Sequence, residues 1–325
     1  MTGAHIHAAV DVLRRGGLVA FPTETVYGLG ADAANAEALA RLYHVKGRPA
    51  DHPVIVHVAA VAALDDVATA VSEEARRLAE AFWPGPLTLV VRRRPGRVAD
   101  AATGGRPTVG VRVPDHPMAL ALLDAFGGAI AAPSANRFGR VSPTTAAHVR
   151  ADLGVDVDIV LDGGPSHVGV ESTIVDVSGA EPLILRVGGI AEADLARVAG
   201  RAIARLDTGD VAAPGTRPSH YAPEVDVELV TLDDAHERAT ARLARGSSVG
   251  LLALAPPPEV PADVRVLASP RDVDEFARVL YARLREADAA GLEILLVVPP
   301  VDEGLGTAVR DRLRRAAAGR PSPPK

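Results

Sequence analysis

The sequence predicts two α/β domains in one chain, the first built on a mixed sheet and the second, smaller one on a parallel sheet. Three observations carry this. Short apolar runs of strand length alternate with helical patterns through residue 200, with hairpin-like neighbours between 160 and 186. The pattern breaks at residues 207–225, which are rich in Gly, Pro, Ser and Thr and show no periodicity. Strand–helix alternation then resumes over about 80 residues. The expected organisation is a first domain at 1–205, a linker or functional loop at 206–235 and a second domain at 236–325.

Each element has a local reason. A helix is expected over 7–15, where Ala8, Val10, Val12 and Leu13 are apolar and Gly16-Gly17 ends it. Residues 18–21 form a buried strand running into Pro22, 36–44 a helix and 54–58 a strand. Ser72 is a natural N-cap for the helix ending at Phe82, which Pro84-Gly85-Pro86 breaks. Strands follow at 87–92 and 108–113, then a helix at 116–126 stopped by Gly127-Gly128. A strand at 129–132, a helix at 145–153, strands at 159–161, 172–177 and 182–186 and a helix at 191–199 complete the first domain. In the second, helices are expected at 236–245, 272–289 and 304–318, strands at 248–253, 264–267 and 292–298, a turn at 256–261, and a disordered tail at 319–325.

Composition narrows the function. Among 325 residues, 48% are hydrophobic and 23% charged, so the chain folds rather than remaining disordered. With no cysteine there is no disulfide framework, thiolate metal site or cysteine nucleophile. A net charge of −6 and only 3% aromatic residues argue against a general nucleic-acid-coating protein, while leaving a local basic cleft open. The strongest apolar run, 292–300, is far below the ~20 residues of a membrane span, and residues 1–17 lack a signal pattern. A cytoplasmic protein is expected. Of 35 basic residues only Lys46 and Lys325 are lysine, which makes the internal Lys46 a residue to explain.

No P-loop and no G-x-S-x-G elbow occurs, and Gly28-Leu29-Gly30 lacks the third glycine of a dinucleotide fingerprint. His5 and His7 have a metal-compatible spacing but sit at a chain end. What remains is a set of polar groups at strand ends. Residues 22–30, PTETVYGLG, put hydroxyls and a carboxylate directly after a strand, where they serve either a ligand or a local capping turn. Lys46-Gly47-Arg48-Pro49 reads first as a helix C-terminus with its glycine cap, and alternatively as a phosphate site. Arg112 interrupts an apolar strand and needs an anion, from the protein or from a ligand. Ser134, Asn136, Ser142, Ser172 and Arg186 add further hydroxyls, an amide and a cation. Such a set fits binding of an anionic ligand better than a covalent nucleophile.

The ordered motifs PTETVYGLG at 22–30, KGRP at 46–49, FWPGPLTLV at 82–90, GVRVP at 110–114, APSAN at 132–136 and ESTIVD at 171–176 resemble the YrdC/Sua5 family of threonylcarbamoyl-AMP synthases. The resemblance spans roughly residues 8–200. Residues 219–223, SHYAP, and the α/β tail resemble the longer Sua5 form. The resemblance implies a YrdC-like twisted mixed sheet with a deep cavity, plus a small C-terminal Rossmann-like α/β domain. It implies that L-threonine, bicarbonate or CO2 and ATP, with Mg2+ assisting, give threonylcarbamoyl-adenylate and diphosphate. The product then passes to a tRNA threonylcarbamoyl transferase complex for the modification of adenosine 37.

Carried over motif by motif, Lys46 and Arg48 face the triphosphate and are the catalytic cations. ATP is further held by His52, Ser134, Asn136, Ser142, Arg186 and Tyr221, the last as part of a lid. Thr25, His57, Thr108, Arg112 and Ser172 hold threonine, its carboxylate on Arg112. His52 stands where many members have asparagine. No protein side chain is assigned to a metal, and a monomer is expected. Two other classes compete: an RNA-binding module, and a carbamoyl-transfer enzyme with a related domain.

Overall fold

The computed structural model describes residues 3–206, 221–255, 259–267 and 269–319. Residues 207–220 of the lid expected within 207–225, half of the turn expected at 256–261 and the tail beyond 319 lie outside these. The chain divides into two compact units, residues 1–138, 142–167 and 171–216 forming the first and 139–141, 168–170 and 217–325 the second. The strand Asp226–Leu229 lies inside the span expected to be linker and joins the second unit's sheet. This corrects the linker expectation. That strand is short, at a sheet edge and half polar, and its partner Ile294–Val297 is remote in sequence, so no local signal marks it.

The first unit is built on an eleven-stranded mixed sheet. Its strands run, from one edge, Ala204–Arg205, Leu183–Arg186, Thr173–Asp176, Leu87–Arg93, Thr108–Arg112, Val56–His57, Ile130–Ala131, Gly28–Asp32, Val19–Phe21 and Ile159–Val160, with Ala68–Thr69 paired to Leu87–Arg93. Gly28–Asp32 was expected to be loop. It pairs antiparallel with Val19–Phe21, which turns residues 22–27 into the connection of a hairpin. Its glycines hide it from propensity, yet they are required: a Cβ on Gly30 would lie 2.9 Å from both the Phe21 ring and Ile130.

Helices cover both faces of the sheet, as continuous apolar strands demand. Phe21 and Ile130 pack with Leu13, Leu122 and Leu123 of Gly3–Arg14 and Pro117–Phe126. Leu29, Val56, Leu87 and Val111 pack with Leu39, Leu42 and Leu78 of Ala36–Lys46 and Glu73–Phe82. Local chemistry sets the helix ends. Ser72 accepts from Ala75 N at 3.1 Å, as expected. His116, expected inside its helix, caps it instead, its Nδ1 accepting from Met118 N at 3.2 Å with Pro117 in the first turn. Gly47 ends Ala36–Lys46 at φ 61°, a conformation that favours glycine.

The second unit carries a four-stranded parallel sheet in the order Asp226–Leu229, Ile294–Val297, Val249–Leu252, Arg265–Val266. Helices Ala235–Leu243, Val273–Ala289 and Leu305–Ala317 connect and cover it. Asp272 caps the longest, accepting from Glu275 N at 2.7 Å. Among the described residues no helix is long and apolar enough to cross a membrane.

Candidate active site

Lys46 ends its helix and is 2% exposed. Its Nζ does not return to its own helix. It donates to the carbonyls of Ser134 and Asn136, each at 2.5 Å, tying the helix end to the 132–136 segment. The glycine cap and the reach of the lysine are therefore separate features of the same turn. Burial pushes the Lys46 ammonium well below the usual lysine range, and Arg48 adds to the effect. No ion pair satisfies Lys46 among the described residues.

Arg48 turns back on the loop that follows it. Nη2 donates to the Pro53 carbonyl at 2.8 Å and Nε to His52 O at 3.4 Å. The guanidinium lies 5.8 Å from the Phe138 ring centre, and the His52 ring meets the same Phe138 edge-on at 5.8 Å. Phe138 N in turn donates to Lys46 O at 2.8 Å. Arg48, His52 and Lys46 thus share one aromatic neighbour, which the sequence reading had not singled out.

A second cluster lies on the central strands. His57 and Arg112 are register partners on adjacent parallel strands. Arg112 is 4% exposed, and its Nε donates to Gly85 O at 3.2 Å. Its anion is Glu24: Nη2 lies 2.6 Å from Glu24 Oε1, with both side chains buried. The open question of which carboxylate partners this arginine is thus answered within the protein. The N–H groups do not point at the carboxylate, so the contact is ionic without a hydrogen bond, and neither Glu24 oxygen receives one among the described residues. His57 is buried with its Nδ1 unpartnered among the described residues. Burial, reinforced by Arg112, pushes its pKa down to about 3, so the ring is neutral at physiological pH.

The loop that carries Glu24 is locked by hydroxyls. Thr23 Oγ1 donates to Val26 O at 2.6 Å, lies 2.9 Å from Thr25 Oγ1 and accepts from Val26 N at 3.2 Å. Ser166 Oγ holds the loop from outside through Thr23 O at 2.9 Å.

A third cluster joins residues expected in different subsites. Arg186 donates to Ser172 O through Nη2 at 2.8 Å and Nε at 3.1 Å, and to Ser172 Oγ at 3.1 Å. Ser172 Oγ lies 2.8 Å from Thr88 Oγ1. The preceding residue, Glu171, accepts from Ser142 Oγ at 2.7 Å. Pro143 O accepts from Tyr27 N at 2.8 Å, and Gly28 bridges Ser134, so the three clusters are connected through backbone contacts.

The first unit therefore gathers Thr25, Lys46, Arg48, His52, His57, Arg112, Ser134, Asn136, Ser142, Ser172 and Arg186. Thr108 shares the face of Arg112 by alternation but sits four residues back along the strand, about 13 Å away. Tyr221 belongs to the second unit, buried at φ 63°, its ring stacked on Tyr281 at 5.7 Å and 5.1 Å from the Arg312 guanidinium. Thr88, Phe138 and Glu171 were not singled out from sequence, and Glu24 only as the carboxylate of the strand-end loop, without a partner. A usable signal existed for Glu24, since Arg112 requires an anion and Glu24 is the carboxylate of the strand-end loop at 22–27. A separate cleft of about 630 Å³, lined by Arg14, Asp32, Arg97 and Asp124 among others, includes none of the expected residues.

Comparison with known proteins covers both units. The family model for Sua5, YciO and YrdC, described as telomere recombination, matches residues 11–188, and the model for the threonylcarbamoyl-AMP synthase C-terminal domain matches 190–318. A threonylcarbamoyl-AMP synthase of Pyrococcus abyssi is 40% identical over 97% of this chain and 94% of its own length. One from Bacillus subtilis is 38% identical over 97% and 93%. The crystal structure of P. abyssi Sua5 complexed with L-threonine superposes with a TM-score of 0.88 at 40% identity, covering 96% of this chain and 94% of that one. E. coli YciO, at 26% identity and a TM-score of 0.50, matches 56% of the chain.

Proposed function

Because this chain belongs to the Sua5, YciO and YrdC family of threonylcarbamoyl-AMP synthases, we propose how its first unit forms threonylcarbamoyl-adenylate and diphosphate from L-threonine, bicarbonate or CO2, and ATP. The reaction serves threonylcarbamoylation of adenosine 37 in tRNA. The threonine amine captures CO2 as a carbamate, whose oxygen attacks the α-phosphorus and expels diphosphate. The work of the protein is then positioning and charge stabilisation.

The observation that carries the assignment of roles is Lys46, a buried ammonium satisfied only by neutral carbonyls among the described residues. A buried cation with no carboxylate in direct contact is stabilised by an arriving anion. We assign to it and to Arg48 the charge on the departing diphosphate. Ser134, Asn136, Ser142, Arg186 and His52 hold the nucleotide. Thr25, His57, Arg112 and Ser172 hold threonine, its carboxylate on Arg112, with Thr108 at the margin. ATP would enter as its Mg2+ complex, the ion offsetting phosphate charge, with no protein side chain assigned to it. A monomer in the cytoplasm, handing its product to a tRNA threonylcarbamoyl transferase, completes the proposal.

The test is product analysis with purified protein. Diphosphate release requires threonine and bicarbonate together, and the product is an adenylate with the added mass of threonine and CO2. Formation of ADP and phosphate instead, or full activity in CO2-free buffer, refutes the assignment.

A further inference from the structure

We infer that Glu24 selects the α-ammonium group of the amino-acid substrate, acting beside Arg112. The inference rests on the reading of L-threonine as substrate and gives its amine a partner.

Glu24 is 1% exposed, yet neither of its oxygens accepts a hydrogen bond among the described residues. A carboxylate offers about four lone-pair sites, and buried polar atoms are almost always bonded. Its ionic contact with Arg112 balances the charge and occupies one side of Oε1, but no hydrogen-bond donor serves Oε2 among the described residues. An ammonium group brings three N–H donors, which this carboxylate lacks among the described residues.

Both members of the pair are held in place. Arg112 is anchored by Gly85 O, and Glu24 by the hydroxyl-locked turn of Thr23, Thr25 and Val26. A fixed cation and a fixed anion side by side complement an α-amino acid zwitterion, carboxylate to guanidinium and ammonium to carboxylate. His57, next to Arg112 and held neutral by burial, adds no charge that would repel the ammonium. Glu171, the other buried carboxylate of the site, already accepts from Ser142. Glu24 is thus a specificity residue: it admits an amino acid and rejects the same skeleton without its amine.

The experiment is calorimetric binding of L-threonine and of 2,3-dihydroxybutanoate of matching configuration, in which a hydroxyl replaces the amine. Wild type, Glu24→Gln and Glu24→Asp are compared, with thermal melting as the check on folding. Wild type is expected to prefer threonine by about a hundredfold, because a site with a buried polar group rejects the analogue that leaves it unpaired. In Glu24→Gln that preference falls to within about threefold through loss of threonine affinity alone, and Glu24→Asp restores part of it. Equal losses for both ligands in Glu24→Gln overturn the inference, leaving Glu24 a brace for Arg112. Equal gains also overturn it, making Glu24 a competitor for the substrate carboxylate. Should Glu24→Gln not fold, wild type decides: analogue binding within about threefold of threonine refutes the assignment. Absence of threonine binding by wild type refutes the substrate reading itself, and with it this inference.

Discussion

Lys46 and Arg112 are both buried cations of the first unit, but their surroundings differ. Lys46 meets two backbone carbonyls and no ion-pair partner among the described residues, whereas Arg112 faces the Glu24 carboxylate at 2.6 Å. At Lys46 the charge is left for a ligand to neutralise, so burial depresses the ammonium and an anion gains from binding there. At Arg112 the protein has supplied the counter-charge, and a ligand gains most by bringing charges of both signs. One end of the site is therefore built for an anion and the other for a zwitterion.

The sharpest way to break this comparison is at Lys46. Lys46→Ala is expected to lower diphosphate release by about 10²–10³, the usual cost of losing one preorganised donor to developing charge. Threonine affinity in that variant should stay near wild type. Steady-state turnover alongside threonine calorimetry measures both, and unchanged turnover removes Lys46 from the reaction.

Arg112→Ala tests the other side. Removing one partner of a buried pair leaves Glu24 charged and alone, a loss of about 3–5 kcal/mol in stability. Threonine binding should weaken far more than ATP binding. The double variant Arg112→Ala, Glu24→Ala should be more stable than Arg112→Ala by urea denaturation, because the orphaned charge is gone. Lys46→Met, which removes a buried charge with no directly paired carboxylate among the described residues, should cost less stability than Arg112→Ala. If the two single variants lose equally, the two cations do not differ in the way described.

The smallest effect concerns His57. Its pKa is lowered in the folded state to about 3 from the ordinary 6.5. Between these values the unfolded chain binds the proton and the folded one does not, so stability rises with pH. The contribution is complete above about 6.5 and is lost as pH falls toward 3, with a slope of at most about 1.4 kcal/mol per pH unit. His57→Gln should flatten the stability–pH curve in that window, as measured by urea titrations from pH 4 to 7. A curve identical to wild type refutes the assigned depression.

The extent to which the sequence was legible follows the range of the interactions involved. Helices with local caps were readable, as Ser72 and Gly127 illustrate, because the cap and the capped groups lie within a few residues. The strand Gly28–Asp32 was not, because its glycines follow from the ring of Phe21 and from Ile130 across the sheet. His116 was placed in its helix rather than at its cap for want of one rotamer. In the site, the motifs singled out Lys46, Arg48, Arg112, Ser134, Ser142, Ser172 and Arg186, which all lie in the first unit. They did not reveal that Lys46 holds the Ser134 and Asn136 carbonyls, or that Arg186 holds Ser172.

By itself the sequence determined the alternation of apolar strands and capped helices, the absence of thiol chemistry and the residue types at the strand ends. These depend on composition, periodicity and bonds spanning a few positions. Tertiary structure alone decided the strand order, the assignment of residues 139–141 and 168–170 to the second unit, and the partner of each buried charge. Arg112 shows the reason. Its position in an apolar strand demands an anion, but Glu24 lies 88 positions earlier in the chain, and only the closing of the sheet brings their charges to 2.6 Å.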